Sequence, residues 1–224
     1  MHKRAVIFAN GELCDAKKIS EQIVSSDFLI AVDGGHHHMN SLGLIPDLVI
    51  GDLDSIQKKE LIQLQNSGVE ILKFPSEKDE TDLELALREA TTRGYLNILI
   101  VAGLGGRLDQ TLGNLSLLKA NFLANSLIKL DDGYEEVWNL KKSTYPKGLQ
   151  INGEIGDVVS LLSFGSETKG INTEGLKYAL ARENLLLYQT RGVSNEMVES
   201  KAKVSLTDGE LIVIHTRKKN KKHK

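Results

Sequence analysis

Five short apolar runs constrain this chain more than any other feature. They lie at residues 5–9, 28–32, 48–50, 69–74 and 97–102. Each is too short for a stable helix, and all but 69–74, which carries Glu70 and Lys73, are too uniformly apolar for a strand with one face in water. Runs of this kind are strands buried on both faces. Between them, apolar residues recur at helical spacing. Ile19, Ile23 and Val24 do so in 15–26, Leu61 and Leu64 precede the stop signal Asn66-Ser67-Gly68, and 81–93 and 108–124 follow the same pattern. Strand and helix alternate throughout, which predicts an α/β arrangement: a parallel sheet with helices on both faces. Ligands in such sheets bind beyond the carboxyl ends of the strands. The segments that follow each run are therefore where chemistry is expected.

Past residue 138 the helical spacing disappears. Short runs at 158–164, 176–180, 185–188, 202–206 and 211–215 alternate with glycine or polar turns, and Asp208-Gly209 between the last two reads as a hairpin turn. This predicts a small antiparallel β-sandwich. The expected organisation is a Rossmann-like α/β domain over 1–138, a β-sandwich over 139–216 and a basic disordered tail over 217–224.

Composition narrows the function classes. The formal net charge of -2 over 224 residues argues against a nucleic-acid surface. The longest apolar stretch, 97–104, is too short to span a bilayer, and the basic start of the chain lacks the apolar core of a signal peptide. Cys14 is the single cysteine, so no internal disulfide can form, which fits a cytoplasmic protein. No His or Asp partner near it suggests a nucleophile.

Asp52-Leu53-Asp54 follows the third run. In an extended segment residues i and i+2 share a side, so both carboxylates would aim at one point and repel unless a cation lies between them. Magnesium suits such a pair, and helix capping near Ile56 is the alternative. Lys78-Asp79-Glu80-Thr81-Asp82 opens the next helix. Thr81 with Glu84 forms a capping box there, which leaves Asp79 unexplained. With a metal present, Asp79 and Asp82 would join Asp52 and Asp54 as ligands. Gly103 to Gln110 follows the fifth run: its glycines let backbone N–H groups approach a phosphate, and Arg107 and Asp109 add charged groups. It is neither a dinucleotide fingerprint nor a P-loop. His36-His37-His38 cannot converge on one ion if helical, because neighbouring helical residues do not share a face. In the second half Tyr178 reads either as a stacking platform or as a half-buried sandwich tyrosine, and Ser194-Asn195 as contact or turn.

Taken in order, these segments resemble the thiamine pyrophosphokinase family. The likeness rests on Asp33-Gly34-Gly35, Pro46-Asp47 with Gly51-Asp52-Leu53-Asp54-Ser55, Lys78-Asp79, Thr81-Asp82, Gly105-Gly106-Arg107 with Asp109-Gln110 and Asn114, Thr173 with Gly175-Leu176-Lys177-Tyr178, and Ser194-Asn195. It implies a homodimer with thiamine bound between subunits, and transfer of the pyrophosphoryl group of ATP to the thiamine hydroxyl with release of AMP. It further implies that Asp52, Asp54, Asp79 and Asp82 hold magnesium and the phosphates and that Arg107 offsets developing charge. Asp33, Gly34, Gly35, Gly105, Gly106, Asp109 and Gln110 would line the nucleotide, and Tyr178, Ser194 and Asn195 would meet thiamine. Asp82 is the expected proton acceptor. Two departures stand out. His36 and His37 occupy places where the family often has a small residue and Asn, and Tyr178 stands where many members have Trp. Three other readings compete: a pyrophosphokinase for a pterin alcohol, a D-x-D metal-dependent glycosyltransferase, and a nucleotide sensor without catalysis.

Overall fold

The computed structural model describes residues 3–218, and the chain divides into two compact units between Gly133 and Tyr134. The division falls ahead of the boundary expected at 138, which lies inside a strand.

The first unit runs β1 (Arg4–Phe8), α1 (Ala16–Ser20), β2 (Phe28–Val32), α2 (Gly35–Ser41), β3 (Leu48–Gly51), α3 (Lys58–Asn66), β4 (Glu70–Lys73), α4 (Asp82–Thr92), β5 (Asn97–Val101), α5 (Leu108–Leu117) and β6 (Leu127–Asp131). All six strands are parallel, in the order β6-β5-β1-β2-β3-β4. β6 was not legible in the sequence because Lys129 and Asp131 interrupt its apolar residues; in the fold the two pair with each other at 2.9 Å. Buried Val6, Phe8, Ala31, Val49, Leu99 and Val101 form the centre of the core, so the central runs are covered on both sides, whereas β4 at the sheet edge keeps Glu70 and Lys73 exposed.

Two helices are shorter than expected. The Arg4 guanidinium takes the Gln22 carbonyl at 2.5 Å, and Asp27 takes the Val24 N–H at 2.9 Å, so the chain leaves the helical path after α1. α5 ends at Leu117, and a short 3₁₀ turn at Asn121–Leu123 follows instead of a continued helix. Among the described residues no helix is long and apolar enough to cross a membrane.

The second unit contains β7 (Glu135–Lys141), β8 (Leu149–Asn152), β9 (Val158–Ser163), β10 (Thr168–Glu174), β11 (Ala181–Leu185), β12 (Asn195–Glu196), β13 (Lys201–Ser205) and β14 (Glu210–Thr216). One antiparallel sheet has the order β12-β9-β14-β7 and the other β11-β10-β13-β8. Trp138, Leu140, Leu161, Ile171, Met197, Val204 and Val213 share the buried core of this unit. Alternate burial along β9 and β13 is the two-residue period of strands with one face inward.

Asp208-Gly209 is not a hairpin turn. β13 pairs with β10 and β8, whereas β14 pairs with β7 and β9, so the dipeptide carries the chain from one sheet to the other. The runs at 176–180 and 185–188 are not strands; β11 lies between them and ends at Leu185. The start of the expected tail is tied down, not disordered. Arg217 pairs with Glu136 at 2.8 Å, and the Lys218 N–H donates to Asp157 at 2.9 Å. Residues 219–224 lie outside the described residues.

Candidate active site

In the first unit the chain leaves β1 toward β2 on one side and reaches β5 on the other. The connections that follow β1 and β5 therefore run to opposite sides, and a crevice opens at the carboxyl ends. The Gly11 N–H donates to the Ala102 carbonyl at 2.7 Å and the Glu12 N–H to the Leu104 carbonyl at 3.0 Å, which fixes one wall. The cavity measures about 560 Å³, and Asn10, Glu12, Asp33, Asp82, Arg107 and Gln110 are among its lining. Asn10, Gly11 and Glu12 were read in the sequence only as a turn; their position after the first buried strand was the signal that could have marked them.

Gly34 and Gly35 are buried against β1 and do not line this cavity. A Cβ on Gly35 would stand 1.9 Å from the Phe8 carbonyl oxygen, and one on Gly34 would stand 2.3 Å from Asn10 Oδ1. Close approach of α2 to the first strand is what demands glycine here.

Asp33, at the end of β2, adopts a left-handed backbone (φ 44). Its carboxyl is half-buried, and Oδ1 is buried without a hydrogen-bond partner. Burial, followed by the adjoining carboxyl of Asp82 and the charge of Asp52, pushes Asp33 up to about 7 from an ordinary 3.8, against the pull of Lys78. Asp82 stands in the first turn of α4, whose N-cap Thr81 accepts the Glu84 N–H at 3.2 Å. The expected capping box is half formed, because the Glu84 carboxylate turns to Arg88 instead. The Lys78 ammonium lies 3.0 Å from Asp82 Oδ1 and 2.8 Å from the Pro75 carbonyl.

The Asp52-Leu53-Asp54 segment is not extended. Leu53 has φ 66, and the Asp54 N–H folds back onto Asp52 Oδ1 at 3.1 Å. That bond, with the Ser76 side chain, holds Asp52 below its ordinary range. Neither aspartate caps α3, whose N-cap is Gln57. The structure brings together Asp33, Asp52 and Asp82 around Lys78; Asp54 is exposed but stays bonded to Asp52, and Asp79 is exposed. Among the described residues no three His, Cys, Asp or Glu groups form a ready-made metal cage. Magnesium does not require one, since it keeps waters and shares its ligands with phosphates. The carboxyl groups outnumber the one ammonium among them, and Asp33 Oδ1 lacks a donor; both features fit a divalent ion and a hydroxylic substrate.

Gly105 and Gly106 take left-handed φ values of 74 and 66 ahead of α5. The Gly106 N–H is held by Glu12 Oε1 at 3.0 Å, and Asn114 Nδ2 donates to the Gly103 carbonyl at 2.8 Å. Arg107 and Asp109 are exposed and paired with each other at 2.5 Å, which holds Asp109 below the usual carboxylate range. His36 is buried in the first turn of α2, with Nδ1 3.0 Å from the Asp33 carbonyl and its ring against His37; the three histidines do not gather on one ion.

In the second unit a cavity of about 520 Å³ is lined by Leu161, Tyr178, Leu180, Arg191, Ser194 and Asn195 among others. Tyr178 is 65% exposed at its edge, so it is no sandwich-core residue. Asn195 is buried and brackets Tyr178, accepting its N–H at 3.0 Å and donating to its carbonyl at 2.8 Å. Ser194 sits at φ 61, with its N–H donated to Ser160 Oγ at 3.0 Å.

Two family models match the two units in this order: "Thiamin pyrophosphokinase, catalytic domain" over residues 19–130, and "Thiamin pyrophosphokinase, vitamin B1 binding domain" over 138–211. The chain belongs to the thiamine pyrophosphokinase family. A thiamine pyrophosphokinase of Bacillus subtilis (strain 168) is 30% identical over 187 residues, covering 84% of this chain and 86% of the relative. The crystal structure of thiamine pyrophosphokinase from Bacillus subtilis superposes with a TM-score of 0.83 at 27% identity, over 96% of this chain and 100% of that one. A thiamin pyrophosphokinase family protein of Enterococcus faecalis gives 0.77 at 25% identity, over 98% and 100%. Within the thiamine pyrophosphokinase framework, the catalytic-domain match contains the carboxylates and the glycine turn. The vitamin B1 domain match contains the Tyr178 cavity. The Asn10-Gly11-Glu12 wall precedes both.

Proposed function

We propose that this chain transfers the pyrophosphoryl group of ATP to the hydroxyl of thiamine, giving thiamine diphosphate and AMP. The observation that carries the reading is the gathering of Asp33, Asp52 and Asp82 around Lys78 beside the crevice where the sheet reverses its strand order. Pyrophosphoryl transfer calls for charge neutralisation and alignment more than for covalent help, and carboxylates at this place could hold a cation that supplies both. Asp52 and Asp82 would hold magnesium, which would neutralise phosphate charge when bound. Asp33, at the end of β2 beside these two carboxylates, is assigned the hydroxyl proton; this replaces Asp82, whose carboxylate is engaged by Lys78. The hydroxyl oxygen forms its new bond to the β-phosphorus, the bond to the bridging oxygen on the α-phosphate breaks, and AMP departs. Arg107, released from Asp109, adds positive charge at the glycine turn. Asp54, Asp79 and Gln110 are assigned to the rim of the nucleotide site.

Thiamine is assigned to the cavity at Tyr178, Ser194 and Asn195, where an exposed ring offers a face for stacking. A homodimer with thiamine at the subunit interface belongs to the same reading. It is supported by α5, which buries none of its residues and leaves Leu108 and Leu112 exposed. A cytoplasmic setting accords with the single cysteine. The test is to incubate the protein with ATP, magnesium and thiamine and identify both products. AMP with thiamine diphosphate is expected. ADP with thiamine monophosphate, or AMP formed only with a pterin alcohol, overturns the reading. Light scattering should give twice the chain mass.

A further inference from the structure

We propose that Glu12 is a positioning residue for the glycine turn between β5 and α5, holding that turn in the shape that receives the phosphates of the nucleotide. The link to the nucleotide rests on the reading above.

Gly103-Leu104-Gly105-Gly106 carries three glycines in four residues. Glycine has more backbone freedom to lose than any other residue, so such a turn keeps one shape only if other groups hold it. Gly105 and Gly106 are both left-handed, at φ 74 and 66. The carbonyl side of the turn is held from α5. Asn114 Nδ2 donates to the Gly103 carbonyl at 2.8 Å, and Thr111 Oγ1, shared with the Arg107 carbonyl, reaches the Gly105 carbonyl at 3.3 Å. The N–H side is held from a different loop: Glu12 Oε1 accepts the Gly106 N–H at 3.0 Å. The Glu12 side chain lies across the turn, for a Cβ on Gly105 would stand 2.9 Å from its Cβ and its Cδ. A side chain at 105 would push Glu12 away.

Glu12 is itself delivered to a fixed place. β1 and β5 pair in parallel, and hydrogen bonds between the two segments continue beyond both strands. The Ala9 N–H donates to the Val101 carbonyl at 2.9 Å, the Gly11 N–H to the Ala102 carbonyl at 2.7 Å and the Glu12 N–H to the Leu104 carbonyl at 3.0 Å. From the other side, His38 Nε2 on α2 lies 3.0 Å from the Gly11 carbonyl. Gly11 admits no side chain, because a Cβ there would stand 2.5 Å from the carbonyl oxygens of Ala102 and Leu104. Gripped on both sides, the loop after β1 presents Glu12 to the glycine turn.

Glu12, Gly105, Gly106 and Arg107 all line the cavity of about 560 Å³. A phosphate entering it meets a turn whose backbone is already set. The useful part of Glu12 is its acceptor oxygen and not its charge, since a negative group beside a phosphate works against binding.

The Gly106 amide and three variants test this. In Glu12→Ala that amide loses its acceptor, so its exchange with solvent, read by NMR, should quicken about tenfold, the scale of one hydrogen bond. The dissociation constant for ATP with magnesium, read by calorimetry, should rise about tenfold, while KM for thiamine stays within about twofold. Glu12→Gln keeps an acceptor of the same reach without the charge and should restore both the slow exchange and the ATP affinity. Glu12→Asp keeps the charge but falls one methylene short, and should behave as alanine does. Unchanged ATP binding in Glu12→Ala overturns the proposal, and so does tighter binding, which would make Glu12 a competitor for the turn. A glutamine variant as weak as alanine, or an aspartate variant equal to the wild type, overturns it as well. Glu12 is exposed, so all three variants are expected to fold. Absence of thiamine turnover in the wild type removes the reaction reading alone, because Gly106 exchange and ATP affinity decide this proposal without thiamine.

Discussion

Asp33→Asn separates the catalytic use of the carboxyl cluster from its cost in stability. In the metal-free protein, burial and the Asp82 and Asp52 carboxylates raise Asp33 from 3.8 to about 7. A rise of about three pH units corresponds to ~4 kcal/mol at ~1.4 kcal/mol each. The carboxyl is only half-buried and solvent screens its interactions, so about half of that, ~2 kcal/mol, is the expected size. The native state holds the proton more tightly than the unfolded chain does. The corresponding stability is complete below the unfolded value of 3.8, declines as pH rises, and is lost once pH passes about 7. Asparagine does not ionise. The variant should match the wild type near pH 4 and exceed it by ~2 kcal/mol near pH 8, while turnover falls about 100-fold or more with the proton acceptor gone. Urea unfolding in chelator at about pH 5 and about pH 8 reads this. The helical circular-dichroism signal reports the first unit, since all described helices lie in it. An asparagine variant whose advantage fails to grow with pH would refute the reasoning. Added magnesium should shrink the advantage, because a cation on Asp52 and Asp82 relieves the repulsion that raises Asp33.

Three further outcomes are expected. Lys78→Met removes the one cation that lowers Asp33, so the acid limb of the kcat/KM profile should move to higher pH; a shift the other way contradicts the assignment of Asp33 as base. Gly35→Ala places a Cβ 1.9 Å from the Phe8 carbonyl in the central strand, a clash with backbone that cannot swing aside; a loss of about 3 kcal/mol or more should appear in the urea midpoint. Chelation should abolish product formation, with activity restored by magnesium, and titration calorimetry should show weaker magnesium binding in Asp82→Asn.

The sequence by itself determined the layers. Uniformly apolar runs such as 5–9 and 97–102 can be satisfied only by burial on both faces, so the parallel sheet was legible from periodicity. Alternating runs such as 202–206 likewise demanded a sheet with one buried face. Thr81 fixed a helix start because its cap bond is local. The family likeness was also legible, since it rests on the order of short motifs along the chain.

Only tertiary structure decided what depends on partners distant in sequence. Asp208-Gly209 has hairpin chemistry, yet its flanking strands find better neighbours in different sheets. β6 is a strand because β5 offers it a ladder, despite its charged residues. Asp52 and Asp54 meet through a left-handed turn at Leu53 and not along an extended segment, and Asp33, Asp52 and Asp82, from the ends of β2 and β3 and the start of α4, come together. Glu12, read in the sequence only as part of a turn, acquires the Gly106 N–H from the loop after β5. Local pattern sets which elements form; the meeting of loops at the strand ends sets which charges must share a site, and no spacing rule along the chain encodes that.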